Sequence, residues 1–211
     1  MLERLFFWFV TSLKALMRSH FIAWNLFLAF IPFALSLWLF KSEKPRSWLW
    51  WLGLLTFVAF LPNAPYVLTD TVHLINFIRN GYSIWIVTLV LIPQYTLFLG
   101  AGFGAYVLSL INLGDYLKQE GKSRFIFPCE LMLHFLSAVG IFLGRFQRFN
   151  SWDFVTKPID VFHTGIVNFY DPMNVLVIGI TFIVLTMLYW LGKQLAIGLK
   201  LRFQQTKEIR S

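Results

Sequence analysis

From Ser83 to Gly114 the chain runs for 32 residues without a single charged side chain. A helix of that length measures about 48 Å, against roughly 30 Å for the hydrocarbon core of a bilayer. Such a stretch has one ready environment, the interior of a membrane. It is also too long to cross that interior upright, so it must tilt, bend at Pro93, or project beyond the lipid.

Other apolar segments repeat the pattern. Spans are expected at about residues 21–40, 47–61, 84–111, 125–146 and 174–195, with charged residues clustered between them. The chain is 58% hydrophobic, 19% aromatic and only 13% charged, where a soluble domain carries about 25% charge. The sequence therefore predicts an all-α integral membrane protein, a bundle of about five transmembrane helices plus short interfacial helices, in one domain over 1–211. Leu5 to Leu13 is too short to cross a bilayer and lacks a small-residue cleavage site. With Arg4, Lys14 and Arg18 around it, residues 1–18 read as an interfacial helix.

The formal charge of +8 raises nucleic acid as a partner, but the basic residues are scattered among short inter-span segments. That distribution orients a membrane protein, so the expected partner is membrane lipid and no nucleic acid. With five spans, eleven Lys and Arg fall on the side of the C-terminus and seven on the other. The bias places the C-terminus in the cytoplasm of a bacterium whose inner membrane holds the protein. A single cysteine, Cys129, excludes an internal disulfide and a cysteine-based zinc site. No His-Glu-x-x-His motif, glycine-rich phosphate loop or nucleophile elbow occurs, and no metal is expected.

Two polar motifs stand out against this background. LPNAPYVLTDTVHL, Leu61 to Leu74, follows the second span; GRFQRFNSWD, Gly144 to Asp153, closes the fourth. The five-span topology puts both on the same, non-cytoplasmic side. Helical spacing from Tyr66 onward would align Tyr66, Asp70 and His73, and Arg145 would share a face with Arg148. An acid and an imidazole would then oppose two guanidinium forks, whose paired donors suit a carboxylate or phosphate. The candidate ligand-binding residues are accordingly Asn63, Tyr66, Asp70, His73, Arg145, Arg148, Asn150, Trp152 and Asp153.

A purely architectural reading uses the same residues. Asn63 can cap a helix that has Pro65 in its first turn, and Asn150 or Ser151 can cap another with Asp153 following. Asp70 would then pair with Arg145 or Arg148 to tie two helices together. Elsewhere, Glu130 and His134 lie four apart on the fourth span, a spacing for a metal pair or proton relay, although two ligands do not make a metal site. Gly100 and Gly104 give a small-xxx-small spacing that favours close helix packing, and Asn25 within the first span needs a hydrogen-bonding neighbour.

Asn25 with Pro32, LPNAPYVLTDTVHL and GRFQRFNSWD together resemble the bacterial multi-span membrane proteins grouped as domain of unknown function 1361. The resemblance extends from about Asn25 through the fifth span and implies an integral membrane protein without an assigned activity. Three functional readings follow from the residues: a binder of a lipid headgroup or anionic ligand, an embedded enzyme acting on a lipid-linked or phosphorylated substrate, and a small transporter. The last needs a polar path through the bilayer, for which Glu130, His134 and Asn25 are the deep candidates.

Overall fold

A computed structural model describes residues 20–41, 46–149 and 153–210. Among these, five helical stretches are long and apolar enough to cross a membrane, and the protein is an all-α membrane bundle. The proposed interfacial helix at 1–18 lies outside the described residues.

The first crossing is α1 (His20–Phe40), with Pro32 inside it. The second begins with α2 (Trp48–Phe60), only about 20 Å long. It does not stop at the polar motif. The chain continues through the four-residue α3 (Asn63–Tyr66), a 3-10 turn over Val67–Asp70, and α4 (Thr71–Arg79). The whole stretch Trp48–Arg79 counts as one apolar helical path. Leu61 and Pro62 form a turn between α2 and α3, after which the motif is helical to its end.

The charge-free run forms α5 (Ile84–Ile86), a π-turn over Val87–Leu91, and α6 (Ile92–Gln119). Pro93 lacks an N–H for the preceding turn, and the wider π-turn sits directly before it. The helix continues to Gln119, past the end expected near 111. Gly121, at φ 70, permits the turn that follows. The fourth crossing is α7 (Ile126–Phe146). After the short α8 (Asp153–Thr156) and α9 (Pro158–Asn168), α10 (Pro172–Arg210) makes the fifth. At 39 residues, α10 runs well past 195 and includes Lys200 and Arg202.

The most extensive helix pairing is α1 on α6, followed by α10 on α7 and α1 on α2. The central core joins Ala29 and Leu39 of α1, Phe57 of α2, Ala64 and Val67 of the motif, and Tyr106 and Leu110 of α6. Most striking for its size is α3. This single turn touches α1, α6 and α7, so the middle of the motif is a wedge between three spans.

Glycines make that wedge possible, though not those singled out by spacing. A Cβ on Gly100 or Gly104 would meet nothing within 4 Å. Their spacing therefore serves no close contact among the described residues. A Cβ on Gly102 would lie 2.7 Å from Val67, and one on Gly140 would lie 2.7 Å from the Pro62 ring. Gly144 packs against Tyr66, 3.2 Å from its ring edge by the same measure. Gly140 and Gly144, four apart on α7, are the small-residue seam on which the motif rests.

Candidate functional site

Two prolines determine the local geometry of the first motif. Pro62 and Pro65 each lack an N–H, so the helical ladder cannot run unbroken through them. The amide of Ala64 turns back to Leu61 at 3.2 Å, leaving the carbonyl of Phe60 without its usual helical donor. The Asn63 side chain supplies one, donating from Nδ2 to Phe60 O at 2.9 Å. Asn63 is therefore a bracket on the helix before it, and Pro62 takes the N-cap position of α3. The capping role expected of Asn63 is corrected accordingly.

One turn further on, Asp70 is buried, with 2% of its surface exposed. Its carboxylate accepts a 2.6 Å hydrogen bond from Asn25 Nδ2 of α1. His73 Nε2 lies 3.8 Å from the other oxygen, and the imidazole sits against the Phe21 ring, centroids 4.4 Å apart. The acid is thus held from two sides, by an amide and an imidazole. Neither Arg145 nor Arg148 comes within ion-pair distance of it: the ion pairs among the described residues are Arg46–Glu120, Asp70–His73 and Glu130–Lys193. The structural Asp70–arginine pair expected from the sequence is not formed.

At the opposite wall, α7 ends by folding back on itself. The carbonyl of Leu143 accepts from the amides of both Gln147 and Phe149, at 3.1 and 3.2 Å. Between them Arg148 has φ 60, a left-handed conformation that a side chain larger than glycine adopts at a cost of about 1–2 kcal/mol. Strain of this kind concentrates where a side chain must be aimed. Neither Arg145, half-buried, nor Arg148, exposed, has a hydrogen-bond or ion-pair partner among the described residues.

These walls enclose a cavity of about 410 Å³, within the size range of small-molecule sites. Asn63, Tyr66, Asp70, His73, Arg145 and Arg148 all line it. Asp153 does not; it opens α8, where Thr156 Oγ1 lies 3.5 Å from its Oδ1. Asn150 and Trp152 lie outside the described residues. Five further residues contribute. Asn25 closes the floor, Phe21 and Trp24 form an aromatic flank, and Gly140 with Gly144 lets α7 come close. Asn25 was legible as a hydrogen-bonding residue, but nothing in its surroundings named Asp70 as its partner.

A family model described as protein of unknown function (DUF1361) matches residues 24–187. The chain belongs to this family. The matched region takes in both walls of the cavity, from Trp24 and Asn25 to Arg145 and Arg148. No curated protein sequence and no solved structure matches the DUF1361 chain.

Proposed function

We propose that the cavity binds an anionic headgroup, a phosphate or carboxylate, at the non-cytoplasmic face of a bacterial inner membrane, with the C-terminus in the cytoplasm. The observation that carries this reading is the pair of unpartnered guanidinium groups on a wall whose opposing carboxylate is already held by Asn25 and His73. Arg145 acts on Asp70 only through space, so both guanidinium groups keep their donors available for a bidentate oxyanion. Asp70 then orients Asn25 and His73, and its buried charge keeps the ligand on the arginine side by repulsion. Phe21 and Trp24 supply an apolar flank suited to a lipid-linked ligand.

The test is native mass spectrometry of the full chain released from phosphatidylcholine nanodiscs doped with phosphatidate. Wild type should retain phosphatidate, and Arg145→Glu with Arg148→Glu should lose it. Equal retention by both proteins would overturn the reading.

A second reading rests on the half-exposed His73 beside the Asp70 carboxylate. A carboxylate that orients an imidazole at a cavity wall is an arrangement for general base chemistry on a phosphorylated substrate bound by the arginines. Asp70→Asn separates the two, because it leaves headgroup retention in place while abolishing turnover.

A further inference from the structure

Two buried acids of this chain are furnished differently. Glu130 of α7, 8% exposed, accepts from Lys193 Nζ and from the Tyr189 hydroxyl of α10, each at 2.6 Å. It has an ammonium of its own. Asp70, 2% exposed, does not. Its Oδ2 accepts from the side-chain amide of Asn25, a neutral donor. Its Oδ1 has His73 Nε2 at 3.8 Å, beyond hydrogen-bond reach, and accepts no hydrogen bond among the described residues. Neither arginine comes within ion-pair distance of it. A carboxylate taken out of water is costly unless a cation and donors meet it. Asp70 lines the cavity, so the space for such a cation lies there.

The cavity therefore carries unspent groups of both signs on its two walls, and their heights match. Pro62 meets Gly140 and Tyr66 meets Gly144, so the motif and α7 run in the same direction, turn against turn. One further turn, about 5 Å, sets Asp70 near the level of Arg145 and Arg148. A ligand lying across the cavity at that level touches both walls at once.

Given the oxyanion site proposed above, on which this assignment rests, we infer that the bound headgroup is zwitterionic. It is a primary ammonium joined by a short linker to a phosphate, with the ammonium on Asp70 and the phosphate on Arg145 and Arg148. The ammonium brings three N–H donors to a carboxylate with lone pairs to spare. Trimethylated choline lacks those donors, a glycerol headgroup lacks the positive charge, and phosphatidate lacks the ammonium altogether. The field of Asp70 that turns the phosphate toward the arginines also draws the ammonium in, so one carboxylate orients the whole headgroup. An aminophospholipid and free phosphoethanolamine share this chemistry.

Native mass spectrometry of the full chain, released from phosphatidylcholine nanodiscs doped equally with phosphatidylethanolamine and phosphatidylglycerol, tests the assignment. Wild type should retain phosphatidylethanolamine at least about tenfold over phosphatidylglycerol. Asp70→Asn should erase that preference while phosphatidylglycerol is still retained. N,N-Dimethylated phosphatidylethanolamine, which keeps the charge and loses N–H donors, should be retained less than its parent by wild type, a comparison that needs no variant to fold. Phosphoethanolamine added to phosphatidylcholine nanodiscs separates the sources: its retention supports a water-borne ligand, and retention of the diacyl form alone supports a lipid. Equal retention of the two doped lipids by wild type, an unchanged preference in folded Asp70→Asn, or equal retention of the parent and dimethylated lipids overturns the zwitterion and leaves the arginine site standing. Unimpaired retention of both lipids by Arg145→Glu with Arg148→Glu removes the arginine site itself, and the zwitterion with it.

Discussion

The two ends of α7 treat charge in opposite ways. Near its C-terminus, Arg145 and the following Arg148 border an open cavity and have no hydrogen-bond or ion-pair partner among the described residues, while the acid across from them is held by Asn25 and His73. Near its N-terminus, Glu130 is packed shut, and its oxygen takes both an ammonium and a hydroxyl donor. The difference lies in what can still arrive. A cavity of about 410 Å³ with unspent guanidinium donors has room for a headgroup. A buried oxygen that already accepts two hydrogen bonds has room for nothing larger than a proton. One helix thus borders a cavity near one end and carries an internal charge pair near the other.

Removing partners separates the two regions most sharply. Glu130→Ala strands Lys193 and Tyr189 and should cost about 3 kcal/mol of stability, measured by denaturant unfolding in nanodiscs. Arg145→Ala strands nothing and should stay within about 0.5 kcal/mol of wild type. Equal losses would erase the contrast. Binding should give the reverse pattern: Arg145→Glu with Arg148→Glu lowers phosphatidate retention about 100-fold, roughly 2.7 kcal/mol. Melting should be unchanged in that variant, and retention in Lys193→Met should match wild type.

Smaller effects probe the scaffold between the regions. Gly140→Val drives a side chain into the Pro62 ring and should destabilise by about 2 kcal/mol, with retention falling as the motif is pushed off α7. Gly104→Ala, facing open space, should be neutral or gain up to about 1 kcal/mol. If the two glycines respond alike, the seam on α7 has been misplaced. Smallest, Asn63→Ala removes the donor to Phe60 and should cost about 1 kcal/mol, read by the same unfolding measurement.

Much of this architecture is legible in the chain because hydropathy is a direct report on lipid. The absence of charge from Ser83 to Gly114 and the clustering of charge between apolar segments lead to an all-α membrane bundle. Helix ends are less legible, since α6 and α10 continue past the apolar segments on polar residues that are good helix formers. The placement of Arg145 and Arg148 opposite Asp70 and His73 follows from topology and charge. Their lack of a direct ion pair does not, because it turns on Asn25, forty-five residues away from Asp70 and without a local pattern. Likewise Gly100-x-x-x-Gly104 and Gly140-x-x-x-Gly144 are equivalent as strings. Only the three-dimensional neighbours, open space for one and Pro62 and Tyr66 for the other, tell them apart. Arg148 in the left-handed region is unforeseeable from residue type, since arginine has no preference for it.

Trp24 belongs to the cavity wall and is also 53% exposed, on an apolar helix of the length that crosses a membrane. An amphiphile that binds as proposed would arrive by lateral diffusion within the leaflet, so its effective concentration would be a mole fraction among lipids. Occupancy should therefore survive dilution of the vesicles in buffer and fall when neutral lipid is added, the opposite of how a site fed from water behaves.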